Sequence, residues 1–413
     1  MDFNDTPEEA AFRAKVRAWL AANATRRIEG ESPSSILAME GADLELIARS
    51  KAWQKKKAAE GYAAISWPKE YGGMGGTPMQ NVIYSQEEAQ FEVSSDLFIL
   101  GLGLAMPTLM VLGSPAQKDR FIKPALYGEE IWCQLFSEPG AGSDLAGVRT
   151  RAEKDGDHWV VNGQKIWTTL GHIADWGILV ARTDPAKPKH KGLSFFLLDM
   201  KTPGITVKQI KQISGASSFN EIFFENVRIP DAMRVGNEGD GWKAALTVLM
   251  NERVVVGNLS AGNGVGEFLA LARATQLADG PALRNGAVRE KIADWYVQSE
   301  GLKYIHYRTL TAISKGVTPG AENAIAKAVG AVYGQDLPHF AMELMDAGGI
   351  IRDPELSPQE AGFQEAWITS PALRIGGGTD EILRNIIAEQ VLGLPGDIRV
   401  DKDIPFNAAP GNK

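Results

Sequence analysis

Two short segments carry the side chains whose types and spacing could do chemistry: residues 137–144 (SEPGAGSD) and residues 163–169 (GQKIWTT). The first combines small residues and a proline with hydroxyl side chains. Such a loop exposes backbone N–H groups on a concave surface, where a phosphate or the polar edge of a ring can bind. The second places the indole of Trp167 beside the hydroxyls of Thr168 and Thr169 on a predicted strand. A glycine-rich turn alone is weak evidence, but the pair indicates a planar, phosphorylated cofactor.

The periodicity of the apolar residues changes twice along the chain and predicts a helical, a β and a second helical region. A helix is predicted to begin at Thr6, because Pro7 follows it and Glu9 lies three residues on, the pattern of an N-cap with a capping box. The predicted domains are an N-terminal α-helical domain at residues 1–130, a middle β domain at 131–241, a C-terminal helical domain at 242–395 and an irregular tail at 396–413.

Individual elements follow from the same patterns. Short apolar runs between glycine, proline and aspartate predict strands at residues 158–161, 177–180, 193–198 and 221–224. Helical spacing predicts helices at residues 11–20, 44–59, 97–112, 242–276, 286–316, 320–346 and 379–392. Gly101 and Gly103 within one of these helices predict close packing against neighbouring elements.

Composition excludes several classes of function. The net charge of −8 over 413 residues argues against nucleic acid as a partner. The single cysteine, Cys133, excludes an internal disulfide and a cysteine metal cluster, and is expected to be a buried apolar residue. The five histidines show no paired ligand spacing, so no metal site is predicted. No apolar run reaches membrane-spanning length, and acidic residues near the start disfavour a transit peptide, so a cytoplasmic location is expected.

The chain resembles the acyl-CoA dehydrogenase family over roughly residues 5 to 395. Residues 137–144 are similar to the flavin-loop signature of that family, residues 67–73 (WPKEYGG) to its N-terminal marker, and residues 377–382 (GGTDEI) to its C-terminal marker. The resemblance implies an α+β fold with an N-terminal helical domain, a middle β-barrel or sandwich domain and a C-terminal four-helix bundle. Residues 132–134 (WCQ) and the glycine-rich ending resemble a bacterial branch that includes steroid side-chain acyl-CoA dehydrogenases.

This resemblance implies FAD-dependent α,β-dehydrogenation of an acyl-CoA thioester to the trans-2-enoyl-CoA, with the α-hydrogen leaving as a proton and the β-hydrogen passing as hydride to flavin N5. Many family members carry the base immediately before the Gly-Thr of the C-terminal motif, where this chain has Gly377. Others place it directly before an arginine on a C-domain helix, which matches Glu252 and Arg253. We expect Glu252 to be the base, against the alternative of a structural ion pair or an exposed helix residue.

Further site residues are carried over from the family by position. The implied cofactor-binding residues are Gln134, Phe136, Ser137, Gly142, Ser143, Trp167, Thr169, Thr379 and Glu381. The implied substrate contacts are Ser143, Arg253 and Gly377. Within these sets, Trp167 is expected beside the flavin ring, with a plain core position as the alternative, and Thr169 at flavin N5. Glu138 and Asp144 are expected to be loop-ordering or capping residues and not catalysts.

Two departures concern the FAD contacts that family members share across a dimer interface. The stretch at 273–281 begins with Arg273 but lacks the Phe-Gly that usually follows, and Met345 replaces the usual glutamine. Both a homo-oligomer and a hetero-oligomer therefore stay open. An electron-transfer flavoprotein is the expected electron acceptor. The rival functions are a non-catalytic partner subunit and a fold relative with flavin oxidase or monooxygenase activity.

Two weaker patterns bear on the substrate. Lys187, Lys189 and Lys191 concentrate positive charge in one loop, which is either a solvated turn or a contact for the phosphates of CoA. Gly377 removes a side chain at the mouth of the expected pocket, and Gly101 and Gly103 would thin one of its walls. Both features favour a branched or bulky acyl group as a hypothesis.

Overall fold

The computed structural model describes residues 5–27, 42–259, 264–315, 320–398 and 400–409, and it describes no side chain at 252–259, 313 or 314. The chain divides into two compact units. The first comprises Met1–Glu252 with Ile398–Lys413, and the second comprises Arg253–Asp397.

Helices form the N-terminal part of the first unit, and most of them begin with a side-chain cap. They are α1 (Pro7–Asn23), α2 (Leu44–Ala59), α3 (Pro78–Glu88), α4 (Met106–Leu112) and α5 (Pro115–Leu126). The Thr6 hydroxyl accepts a hydrogen bond from the amide of Glu9, and the Glu9 carboxylate accepts one from the amide of Thr6. The predicted capping box is confirmed.

One mixed sheet follows. Its strands are β1 (Trp132–Leu135), β2 (Arg151–Asp155), β3 (His158–Thr169), β4 (Trp176–Arg182), β5 (Leu193–Asp199), β6 (Ile205–Ile210), β7 (Phe219–Pro230) and β8 (Arg234–Val235). They lie in the order β6-β7-β3-β2-β4-β5-β8, and β1 pairs in parallel with β4. The four predicted strands are found within β3, β4, β5 and β7.

After the sheet, helix α6 (Gly241–Leu259) leads into the second unit. That unit contains α7 (Val265–Ala274), a short hairpin of β9 (Gln276–Leu277) and β10 (Gly280–Pro281), α8 (Gly286–Ser314), α9 (Asn323–Leu344), α10 (Gly362–Ile375) and α11 (Asp380–Ile386). The sequence pattern did not predict α10. The expected order of helical, sheet and helical regions in a mixed α+β fold is confirmed.

Each unit has its own apolar core. In the first, side chains of α4 and α5 such as Leu109 and Phe121 pack with Trp132 and Val180 of the sheet. A Cβ added at Gly101 would lie 3.2 Å from the Trp132 ring, so this glycine does permit close packing. Cys133 is buried as expected, and burial raises the pKa of its thiol.

Two expectations from composition can be compared with the described residues. Among them, no three histidine, cysteine, aspartate or glutamate side chains are grouped so that they could hold a metal ion. No helix in the described ranges combines the length and the apolar character that crossing a membrane requires.

Candidate active site

The two segments singled out from the sequence, residues 137–144 and 163–169, meet at the end of strand β1. The chain leaves β1 at Leu135, and the carbonyl of Ser137 then accepts a hydrogen bond from the amide of Ile166 on β3 at 2.9 Å. A tight turn follows, in which Glu138 and Ala141 exchange backbone hydrogen bonds of 2.9 and 3.0 Å. Loop 137–144 is therefore anchored one residue away from Trp167.

A buried ion pair fixes this loop to the sheet. The Lys165 ammonium, on β3, donates to the Glu138 carboxylate at 2.8 Å and to the Phe136 carbonyl at 2.9 Å, and its side chain is 0% exposed. The same carboxylate accepts the amide N–H groups of Arg149 at 2.6 Å and Thr150 at 2.9 Å. Glu138 is a loop-ordering residue, as expected.

Burial and pairing act in opposite directions on the titration of these groups. Burial alone raises the pKa of the Glu138 carboxyl, but Lys165 and the backbone N–H donors outweigh it and hold that pKa below its usual range. Burial lowers the pKa of Lys165 to about 8. The Glu138 carboxylate is thus ionised at neutral pH, and it accepts the hydrogen bonds that hold the loop against the sheet.

Trp167 is an exposed ring on an irregular strand. The register of β3 against β7 shifts between Lys165 and Thr168, and Trp167 lies within this bulge at φ +60°. Its side chain is 57% exposed, and its ring meets that of Phe219 edge-on at 6.0 Å. A bulge of this kind re-aims a side chain away from its sheet neighbours. The alternative of a plain core position for Trp167 is wrong.

Polar residues follow Trp167 on β3 and lie opposite on the paired strand β7. Thr169 is half-buried and pairs with Phe219, whereas Thr168 is buried and its carbonyl accepts from the Asn220 amide at 2.9 Å. Within the described part of the chain, Thr168 Oγ1 and Asn220 Oδ1 are buried and make no hydrogen bond. Buried polar atoms without partners are uncommon and suit a site that receives a polar ligand.

The glycines of loop 137–144 leave one side of the loop open. A Cβ added at Gly140 or Gly142 would meet no atom within 4 Å, and Gly142 and Ser143 are exposed. Phe136 is buried in the core with its ring edge-on to Phe195 at 6.1 Å. Gln134 on β1 and Ser137 are half-buried. An open glycine turn beside an exposed indole fits a flat ring system that carries phosphate.

Charged side chains hold the segment that follows Ser143. The buried guanidinium of Arg182 donates to the carbonyls of Ala146 at 2.6 Å, Val148 at 3.0 Å and Lys189 at 3.1 Å. Burial lowers the pKa of Arg182 to about 10, so it stays charged at neutral pH. The Lys189 ammonium lies 2.9 Å from the Asp144 carboxylate. Asp144 therefore orders the loop, as expected.

The positively charged loop is partly committed to internal ion pairs. Lys189 also contacts Asp401 at 2.7 Å, and its side chain is only 16% exposed. Lys187 lies 3.4 Å from Asp184. Lys189 is therefore a half-buried ion-pair residue, and a contact with CoA stays a hypothesis for Lys187 and Lys191.

A second group of predicted residues lies in the second unit. Gly377 and Gly378 adopt φ +67° and +100°. The ammonium of Lys327, on α9, donates to the Gly378 carbonyl at 2.5 Å. The Thr379 hydroxyl then caps α11 by accepting from the amide of Ile382 at 3.3 Å, and Glu381 is exposed in the first turn. In this turn the predicted substrate residue Gly377 lies two residues before the predicted cofactor residue Thr379.

The remaining predicted residues are placed as follows. Glu252 and Arg253 lie in helix α6, but their side chains are outside the described residues. Arg273 is exposed in the last turn of α7, and Met345 packs against the core of the second unit.

Sequence reasoning missed the anchors of loop 137–144. Lys165 was one of them, although Trp159 and Val161 on the same strand show the alternation that points every second side chain inward. That signal could have identified Lys165 as buried. Arg182 lies at the end of the apolar strand β4, and no comparable pattern in the sequence identifies it as buried.

The whole chain is similar to known proteins. Three family models match in succession: "Acyl-CoA dehydrogenase, N-terminal domain" at residues 6–129, "Acyl-CoA dehydrogenase, middle domain" at 133–227 and "Acyl-CoA dehydrogenase, C-terminal domain" at 239–392.

Individual relatives agree with these matches. The acyl-CoA dehydrogenase IpdE1 of Mycobacterium tuberculosis is 37% identical over 390 residues, which cover 93% of this chain and 97% of the relative. The acyl-CoA dehydrogenase FadE34 of the same organism is 38% identical over 82% of this chain, and the match spans 45% of that longer protein. Among solved structures, the Tcur3481-Tcur3483 steroid ACAD superposes with a TM-score of 0.80 at 27% identity, over 96% of this chain and 100% of the other.

Proposed function

The chain belongs to the acyl-CoA dehydrogenase family, and on that premise we propose that it catalyses the FAD-dependent α,β-dehydrogenation of an acyl-CoA thioester to the trans-2-enoyl-CoA. When bound, FAD would supply the acceptor that takes the β-hydrogen as a hydride at N5. The residues proposed to hold it are Gln134, Phe136, Ser137, Gly142, Ser143, Trp167, Thr169, Thr379 and Glu381.

We base this chiefly on the exposed indole of Trp167 beside loop 137–144. Trp167 is 57% exposed, although burying a tryptophan is strongly favourable. The indole lies on a bulge next to the anchored Ser137, so its exposure is built into the strand. A flat partner on this face would bury the indole and place its polar edge near Thr169.

Glu252 is the proposed base for the α-proton. Gly377, the other position used within the family, has no side chain, and its φ of +67° disfavours any residue with a Cβ by about 1–2 kcal/mol. In the proposed step the α-proton moves to the Glu252 carboxylate while N–H and O–H donors stabilise the thioester oxygen. Arg253 is proposed to order this part of the substrate site.

The proposed substrate is a branched or bulky acyl-CoA. The description of a related structure as a steroid ACAD supports a bulky group, and the bare backbone at Gly377 leaves room for one. Ser143, Arg253 and Gly377 are the proposed contacts. We further propose transfer of electrons to an electron-transfer flavoprotein and assembly as a homo- or hetero-oligomer.

The visible spectrum of the purified protein tests cofactor and base together. Wild-type protein should show a flavin spectrum that bleaches when an acyl-CoA is added without oxygen. Glu252→Gln should keep the flavin but bleach at least 100-fold more slowly, since general-base catalysis contributes about 10²–10⁴-fold. Glu225→Gln, an exposed residue of β7, is the matched control and should behave as wild type. Equal bleaching in wild type and Glu252→Gln would rule out Glu252 as the base.

A further inference from the structure

The C-terminal end of the described chain returns to the sheet unit and packs on the loop between β4 and β5. The amide of Phe406 donates to the Lys187 carbonyl at 2.9 Å, and the amide of Asn407 donates to the Pro185 carbonyl at 3.0 Å. Pro405 and Pro188 form an isolated β-bridge. We call residues 401–409 the C-terminal strap.

The strap covers the buried guanidinium that holds the active-site loop. The ring of Phe406 lies 3.5 Å from the Arg182 guanidinium carbon, and the two residues are 8% and 4% exposed. Arg182 in turn donates to the carbonyls of Ala146 and Val148, three to five residues after Ser143. A cation against an aromatic face is held more strongly when water is excluded from it. Phe406 thus fixes the orientation of the side chain that shapes segment 144–148.

An ion pair provides a second connection between the strap and the active-site loop. The Lys189 ammonium is shared between Asp401 of the strap at 2.7 Å and Asp144 at 2.9 Å. Asp144 directly follows Ser143 in the chain. Two independent contacts therefore lead from the strap to the same short segment, one through a ring and one through an ion pair.

We propose that the C-terminal strap is a positioning element of the acyl-CoA site, acting through Arg182 and Lys189 on the segment that continues from Gly142 and Ser143. The functional half of this inference rests on the function proposed above. Neither Phe406 nor Asp401 is assigned a contact with substrate or cofactor, so any effect of these residues must pass through the loop.

Two full-length variants test the strap, each with a control at an exposed residue in the strap or next to it. Phe406→Ala removes the ring from Arg182, and Asp401→Asn removes one of the two carboxylates from Lys189. Their controls are Val400→Ala, whose side chain is 83% exposed, and Asp403→Asn, an exposed aspartate in the strap. Circular dichroism establishes that each variant is folded.

Hydrogen exchange measures the loop without reference to activity. Amides at 145–149 should exchange about tenfold faster in Phe406→Ala and several-fold faster in Asp401→Asn than in wild type, as expected for a lost desolvated cation–π contact and a lost charge-assisted bond. Amides of β7 and both control variants should be unchanged. Unchanged exchange at 145–149 in Phe406→Ala would overturn the proposal.

Steady-state kinetics then connects the loop with the substrate. In Phe406→Ala the KM for acyl-CoA should rise about tenfold with kcat within twofold, since a less ordered loop weakens ground-state and transition-state binding alike. Faster loop exchange with an unchanged KM would overturn the positioning role. If wild-type protein oxidised no acyl-CoA, the proposed function would fail, while the exchange measurement would still decide whether the strap orders the loop.

Discussion

Replacing Lys165 by methionine removes the ammonium that fastens loop 137–144 to the sheet. Removing one partner of a buried ion pair costs about 3–5 kcal/mol, because the other charge stays buried. Here the Glu138 carboxylate keeps the N–H groups of Arg149 and Thr150 at 2.6 and 2.9 Å, so we expect the lower end, about 3 kcal/mol. For a unit of about 250 residues this corresponds to a fall of about 6–12 °C in Tm.

The assay is thermal unfolding followed by near-ultraviolet circular dichroism, with Lys211→Met as the matched control. Lys211 is an exposed lysine just beyond β6, and its replacement should change stability by no more than about 0.5 kcal/mol. The double variant Glu138→Gln with Lys165→Met removes both charges. Its destabilisation should be smaller than the sum of the single effects by at least about 1 kcal/mol, because neither charge is then left unpaired.

Two results would refute this reasoning. A Tm of Lys165→Met within about 2 °C of wild type would mean that the pair stabilises little. Additive effects in the double variant would mean that Lys165 and Glu138 act independently, in spite of the 2.8 Å contact between them.

Three further expectations follow from the same region. Trp167→Ala should weaken FAD binding about tenfold in a flavin fluorescence titration and leave Tm nearly unchanged, because the ring is 57% exposed; a large fall in Tm would contradict this. Gly163→Ala should lower stability by about 2–4 kcal/mol in urea unfolding, since its Cβ would lie 2.6 Å from Thr150 Oγ1 at φ +151°; wild-type stability would show that the strand can shift. The pKa of Glu138 is lowered in the folded protein, so its stabilising contribution is complete above about pH 4.3 and is lost as pH falls through the native pKa. Glu138→Gln should therefore lose less stability than wild type between pH 5 and pH 3, and equal losses would show that another carboxylate governs the acid limb.

Local signals in the sequence predicted those elements that local chemistry determines. The capping box at Thr6 places the start of α1 correctly, and the apolar runs find the strands that are buried. Strand β2 (Arg151–Asp155) was missed because four of its five residues are exposed. Edge strand β6 has the same difficulty, since none of its residues is fully buried. Such strands form because they pair with neighbouring strands, and a pattern in the local sequence does not show that pairing.

In the candidate site, too, some features could be predicted from the sequence, and others depend on residues far away along the chain. Small residues in loop 137–144 and the indole of Trp167 are visible in the sequence, and their convergence could be predicted from the resemblance. Charged residues are rarely buried without a partner, so a lysine or arginine in a sequence is taken as exposed until a tertiary partner is known. Glu138, the charged partner of Lys165, lies 27 residues away along the chain, and Ala146, one of the carbonyl partners of Arg182, lies 36 residues away. Asp401 of the strap lies 212 residues from Lys189.

The two glycine-rich turns of this chain are held by the same device. In the first unit the Lys165 ammonium donates to the carbonyl of Phe136, at the entrance of loop 137–144. In the second unit the buried Lys327 ammonium donates to the carbonyl of Gly378, directly before Thr379. Burying an ammonium is costly, and glycine-rich segments have the most conformational freedom to lose on folding. A buried ammonium that donates to a backbone carbonyl fixes the conformation of such a segment without placing a side chain on its open face. Both turns can therefore hold one conformation without a side chain on their open face, which is the property that the proposed cofactor site requires.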